Sequence, residues 1–186
     1  MTILATTVRG SIGFAVVSTA AFATWAFGDA WFYEHGGELV MYAACCLVFI
    51  VLAGLVLRPL LRWPGTIGRF YGFFVPAFLA YAIAWCAGWL LLRSATGEWL
   101  GSLAGSAAFS IVMAATVRGW RVLLPSILVM FLAHSAGYFV GAYICAISLH
   151  SVGSMLAWGC LYGLGFGAGI GYAFALMHRS WKPEPS

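Results

Sequence analysis

His134 is the side chain best suited to do chemistry inside an apolar environment in this sequence. Apart from thiols and phenols, it is the only ionisable residue well within one of the long apolar runs. An imidazole titrates near neutral pH and can accept, donate or pass a proton, and an ionisable group inside a membrane segment commonly marks a path or a site. At helical spacing His134 shares a face with Met130, Tyr138 and Gly141. The same spacing equally fits a neutral imidazole that bonds a Ser, Thr or Tyr on a neighbouring helix.

A second group gathers between the apolar runs. Asp29, Glu34, His35 and Glu38 crowd one connection, Glu98 sits in another and His150 in a third. Trp25, Trp31, Trp85, Trp89, Trp99 and Trp158 fall in the same half of the chain's crossings, against Trp63, Trp120 and Trp181 in the other. Carboxylates attract a cation, and indole faces hold it through their quadrupoles, at about 0.5–2 kcal/mol per contact. The pattern suggests a vestibule for a cationic or flat aromatic solute, with His134, Glu34, His35, Glu98, Trp31, Trp99 and Tyr138 as candidate binding residues. The plainer alternative is acids that solvate loops beside an aromatic belt, although belts normally form at both interfaces.

Enzymatic chemistry is poorly provided for. The segment Ala133-His134-Ser135-Ala136-Gly137, followed by Gly141, resembles the histidine helix of rhomboid intramembrane proteases. That family also needs a GxSG serine on an earlier helix. The nearest stretch, Leu103-Ala104-Gly105-Ser106, lacks the motif and precedes His134 by only 28 residues, so no catalytic residue is assigned. Cys45, Cys46, Cys86, Cys145 and Cys160 lie inside apolar runs with no CxxC spacing, where cysteine serves as a small buried hydrophobe. Glu34, His35 and His150 come from separate loops without ligand spacing. No metal site is expected, and no cofactor is indicated.

These residues must be positioned by elements that live in lipid. Hydrophobic residues make up 63% of the chain and charged residues 8%, with mean hydropathy +0.98, whereas soluble domains carry about 25% charged residues. There is no Asn or Gln and a single Lys, Lys182. Apolar spans run at about 10 to 28, 39 to 57, 70 to 92, 99 to 117, 122 to 149 and 153 to 177. Each matches the roughly 20 residues that cross a bilayer as a helix. The expected fold is all-α: one polytopic domain over 1–186, a compact bundle of six transmembrane helices with short loops. Ala21-Phe22-Ala23 has the form of a signal-peptidase site, yet its apolar run is long for a leader and has one basic flank, so the segment is expected to be retained.

Charge sets the topology. Arg9, Arg58, Arg62, Arg69, Arg118, Arg121, Arg179 and Lys182 fall on one side, and Arg93 with Asp29, Glu34, Glu38 and Glu98 on the other. The positive-inside rule then places both termini in the cytoplasm of a multi-pass protein of the cell (plasma or inner) membrane. Because the basic residues stand singly at helix ends, the net charge of +4 does not point to nucleic acid. The expected partners are the bilayer, a small-molecule ligand and, alternatively, a partner membrane subunit.

Small residues recur every fourth position: Gly159, Gly163, Gly167 and Gly171 near the end of the chain; Ala133, Gly137 and Gly141 before them; Ser102, Ser106 and Ser110 earlier still. In lipid such rows let helix backbones approach, and they can pack the protein's own helices or dock a partner. Size, six spans and cytoplasmic ends resemble the substrate-binding components of energy-coupling-factor vitamin transporters. That family meets its coupling subunit through small residues of the first helix, here Ala15, Thr19 and Ala23. The resemblance implies solute binding from outside. A tag at either terminus should be unreachable by an impermeant reagent in intact cells; labelling from outside would invert the topology.

Overall fold

Hydrocarbon offers the backbone no hydrogen-bonding partner, so a spanning chain must satisfy its amides within helices or a closed barrel. The computed structural model describes residues 2–61 and 66–180; Arg62, Trp63, Trp181 and Lys182 lie outside them. Within them the chain forms six long helices and no strand: α1 (Ile3–His35), α2 (Gly37–Leu57), α3 (Ile67–Leu92), α4 (Ala95–Val117), α5 (Leu123–Ile147) and α6 (Val152–Ser180). All six are long and apolar enough to cross a membrane.

The helices outrun several of the apolar spans. At 33 residues and 1.5 Å per residue, α1 is about 50 Å long, well beyond a hydrocarbon core of about 30 Å. Polar residues at a helix end remain helical at the membrane surface, where water satisfies them. Thr2 caps α1 by accepting from the Ala5 amide, and Ser94 caps α4 by accepting from Gly97. The breaks are abrupt. Gly36 alone separates α1 from α2, and Gly37, the first residue of α2, has φ 68°. Arg93 ends α3 in the left-handed region, as do Leu149 and His150 between α5 and α6.

Such short turns make successive helices antiparallel neighbours, and α6 returns against α1 to close the ring. The contact between α1 and α6 is the most extensive, followed by α5 with α6 and α3 with α4; α4 with α5 is thinner and α2 with α3 sparser still. Glycine explains the order. Gly159, Gly163, Gly167 and Gly171 all face α1: a methyl group on Gly163 would lie 2.6 Å from the Ala15 Cα and the Phe14 carbonyl, and one on Gly171 2.5 Å from the Thr6 carbonyl. The next row on α6 meets α5, where a methyl on Gly137 would lie 3.2 Å from the Gly165 Cα and one on Gly141 3.0 Å from the Trp158 Cα. Gly88 of α3 meets Gly97 and Gly101 of α4 in the same way. Across the closest pair, the Ser11 hydroxyl donates to the Leu164 carbonyl at 2.8 Å.

The outside of the bundle is apolar. Leu4, Val8, Ile12 and Val16 form an exposed row on α1, and Leu124, Leu128 and Leu132 another on α5. Polar side chains point inward instead: Ser102, Ser106, Ser110, Ser126 and His134 are all 0% exposed. A cluster of phenyl rings fills the middle, with Phe14 stacked on Phe49 at 5.5 Å and edge-on to Phe166 at 5.3 Å. Gly167→Leu should force α1 from α6 and lower stability by about 2 kcal/mol or more. Gly72→Leu, where nothing lies within 4 Å, should change it little; thermal unfolding of the detergent-purified protein compares them.

Candidate functional site

Three helices carry aromatic or imidazole side chains four residues apart: Tyr81, Trp85 and Trp89 on α3, His134 and Tyr138 on α5, Trp158 and Tyr162 on α6. Residues at that spacing project from one helical face, and here the three faces converge. Between them and the facing sides of α1 and α2, in the half of the bundle away from the start of α1 and the end of α6, lies a partly open cavity of about 360 Å³. Small-molecule sites span about 300–1,000 Å³. Phe49 and Phe78 form its floor, where the central phenyl cluster begins.

Two carboxylates reach this space in different states. Glu38 at the start of α2 pairs with Arg93 at 2.8 Å and also accepts from Tyr42 at 3.3 Å and Trp89 Nε1 at 3.4 Å. The Arg93 guanidinium lies 5.5 Å from the centre of the Trp89 ring. This clasp joins α2 to α3 at the mouth, two helices whose contact is otherwise sparse. Glu98, at the start of α4, accepts the Tyr138 hydroxyl at 3.0 Å; among the described residues no Arg or Lys pairs with it.

Behind the cavity wall stands His134. Its Nε2 lies 2.7 Å from the Tyr81 hydroxyl, which is 3.0 Å from the Tyr162 hydroxyl. Its Nδ1 lies 2.7 Å from Ser102 Oγ, itself 2.7 Å from Ser135 Oγ. Four helices thus contribute to one chain of five groups. A neutral imidazole has one donor and one acceptor nitrogen, so the chain can be polarised in either direction. Ser102 and His134 also have the spacing of a nucleophile and its base. Both are fully buried and neither lines the cavity, which leaves no room for a scissile carbonyl at Ser102 Oγ.

The seven candidate binding residues divide. Glu98 and Tyr138 line the cavity, and His134 lies one layer behind, joined to it through Tyr81 and Tyr162. Glu34, His35 and Trp31 sit on the exposed last turns of α1, with the His35 ring stacked on Trp31 at 4.6 Å. Trp99 stacks on Phe139 at 4.1 Å and is 47% exposed. These four do not line the cavity, whereas His150 does. Among the described residues no three His, Cys, Asp or Glu side chains come together to hold a metal ion.

Comparison with protein-family models, curated proteins and solved structures finds no match.

Several residues that shape the site were not singled out in the sequence. Tyr81 and Tyr162 are neutral and lie within apolar runs, and Ser102 reads as one more small residue on a packing face. The available signal was the four-residue aromatic spacing on α3 and α6, which repeats that of His134 and Tyr138. Tyr81→Phe removes the hydroxyl shared by His134 and Tyr162 and leaves both short of a partner. It should lower stability by about 1–3 kcal/mol in thermal unfolding followed by tryptophan fluorescence, and Trp99→Phe should cost much less.

Proposed function

We propose that this chain binds, and moves across the membrane, a small cationic or flat aromatic solute that occupies the cavity. The observation that carries the reading is Glu98: a carboxylate at a wall of indole and phenol rings, bonded to a neutral hydroxyl and left without a basic partner among the described residues. Arg93 offsets the charge of Glu38. The lining therefore holds one uncompensated negative charge, and a low-dielectric surround strengthens its attraction for a cation. The rings of Trp85 and Trp158, each packed against Tyr138, suit a flat or positively charged guest.

Orientation follows from charge. Arg9, Arg58, Arg69, Arg118 and Arg121 belong to the end of the bundle where α1 starts and α6 finishes, and the cavity opens at the other. Under the positive-inside rule the basic end faces the cytoplasm, and the solute enters from outside the cell. The other reading, a non-catalytic subunit that docks partner helices through its small-residue rows, has less to work with. The rows Gly159, Gly163, Gly167 and Gly171, and Gly165 and Gly169, of α6 are already filled by α1 and α5, and Ser102, Ser106 and Ser110 are buried within the chain.

The test is a titration of the purified protein with tetraalkylammonium ions, aromatic amines and their neutral isosteres, read by tryptophan fluorescence and by thermal stabilisation. Saturable binding of a cation, with its neutral isostere at least tenfold weaker, is the expected result. Glu98→Gln should weaken the cation at least tenfold, about 1.4 kcal/mol. Absence of saturable binding, or an unchanged affinity in Glu98→Gln, overturns the reading.

A further inference from the structure

The hydrogen-bonded chain through His134 does not stop at the cavity wall. Ser106 and Ser110 continue the Ser102 face of α4 at four-residue intervals, and Ser126 lies two helical turns from His134 on α5, towards the basic end. All three are 0% exposed, and their hydroxyl groups have no hydrogen-bond partner. Buried hydroxyls without partners are disfavoured, and three in register with Ser102 on α4 and His134 on α5 form a pattern that packing alone does not call for. At 1.5 Å per residue, successive rows are about 6 Å apart, the span of one water making two hydrogen bonds of about 2.8 Å. The α4–α5 contact, which Ser102 bridges to His134 and Ser135, is thinner than those of α5 with α6 and of α3 with α4.

We infer that the groups Tyr162, Tyr81, His134, Ser102 and Ser135, extended by Ser106, Ser110 and Ser126, form a proton path from the cavity towards the basic end of the bundle. A hydronium in the cavity gives its proton to the Tyr162 oxygen. The proton already on Tyr162 passes to the Tyr81 oxygen, and that of Tyr81 to His134 Nε2. The proton on Nδ1 passes to Ser102 Oγ, and that of Ser102 to Ser135 Oγ. The proton released by Ser135 is taken by a water among the hydroxyls of α4 and α5. One O–H or N–H bond breaks for each that forms, and no oxidant or reductant is needed. The chain is left with its polarity reversed, so a second transfer in the same direction waits for reversal.

The groups facing the imidazole fit this role. Tyr81 comes from α3, Ser102 from α4, Tyr162 and Phe166 from α6, and Tyr138 from α5 itself. Glu98 reaches Tyr138 and not the imidazole, so among the described residues no charged side chain is bonded to His134. The entrance coincides with the proposed solute site, but the path does not depend on which solute binds there.

The experiment uses the full chain in liposomes containing a trapped pH dye, with a potassium diffusion potential set by valinomycin. Proton uptake should exceed that of protein-free vesicles, and His134→Ala should lower it at least tenfold. The double variant Ser106→Ala with Ser110→Ala removes only hydroxyls that have no partner, so it retains the fold if His134→Ala does not; it too should lower uptake at least tenfold. Uptake no faster than in protein-free vesicles, or unchanged in the double variant, overturns the path. Cation titration of the same preparations separates the two ideas. Lost uptake with binding intact is the result expected of the double variant, binding in the wild type without any uptake sinks the path alone, and uptake without binding sinks the solute reading alone.

Discussion

Helices surrounded by lipid gain little hydrophobic energy from one another, so the backbone contact between α1 and α6 is the constraint on which the remaining arrangement rests. Gly163, Gly167 and Gly171 bring α6 so near Gly10 and Ala15 that no methyl group fits between them. Dispersion at that range, with the Ser11 hydroxyl bonded to the Leu164 carbonyl, fixes the first helix against the last and closes the ring. Once α6 is seated, Gly165 and Gly137 set α5 beside it. Trp158 and Tyr162 then face Tyr138 and His134, and the aromatic lining follows from helix register.

The interior reverses the usual order of a soluble protein. Aliphatic rows cover the surface, while hydroxyls, phenols and an imidazole are buried beside the phenyl cluster. Such groups survive burial by bonding one another across helices, and the five-membered chain centred on His134 does this with donors and acceptors from α3, α4, α5 and α6. Because each of the three inner members serves two neighbours, loss of the Tyr81 or Ser102 hydroxyl leaves more than one group short of a partner.

Much of this architecture was legible in the amino-acid sequence. Six apolar runs divided by short charged connections required six helices, and the four-residue glycine spacing of the final run marked a close-packed face. Which candidates would meet was far less legible. Glu34, His35 and Trp31 share a connection with Glu38, but α1 continues helical through His35 and carries them onto an exposed surface, while Glu38 begins α2 and turns to Arg93. Proximity along the chain gives no azimuth around a helix. Tyr81 and Tyr162 were hidden for another reason: inside an apolar run a phenol looks like core, and its polar role appears only when the register between helices brings a second polar atom to it.

The Glu38–Arg93 clasp gives the molecule an uneven stiffness. The α1–α6 spine is held by contacts between uncharged backbones, which dissolved ions do not alter, whereas the rim between α2 and α3 is held by an ion pair at the membrane surface, which they screen. Rising ionic strength therefore softens the rim and leaves the spine as it was.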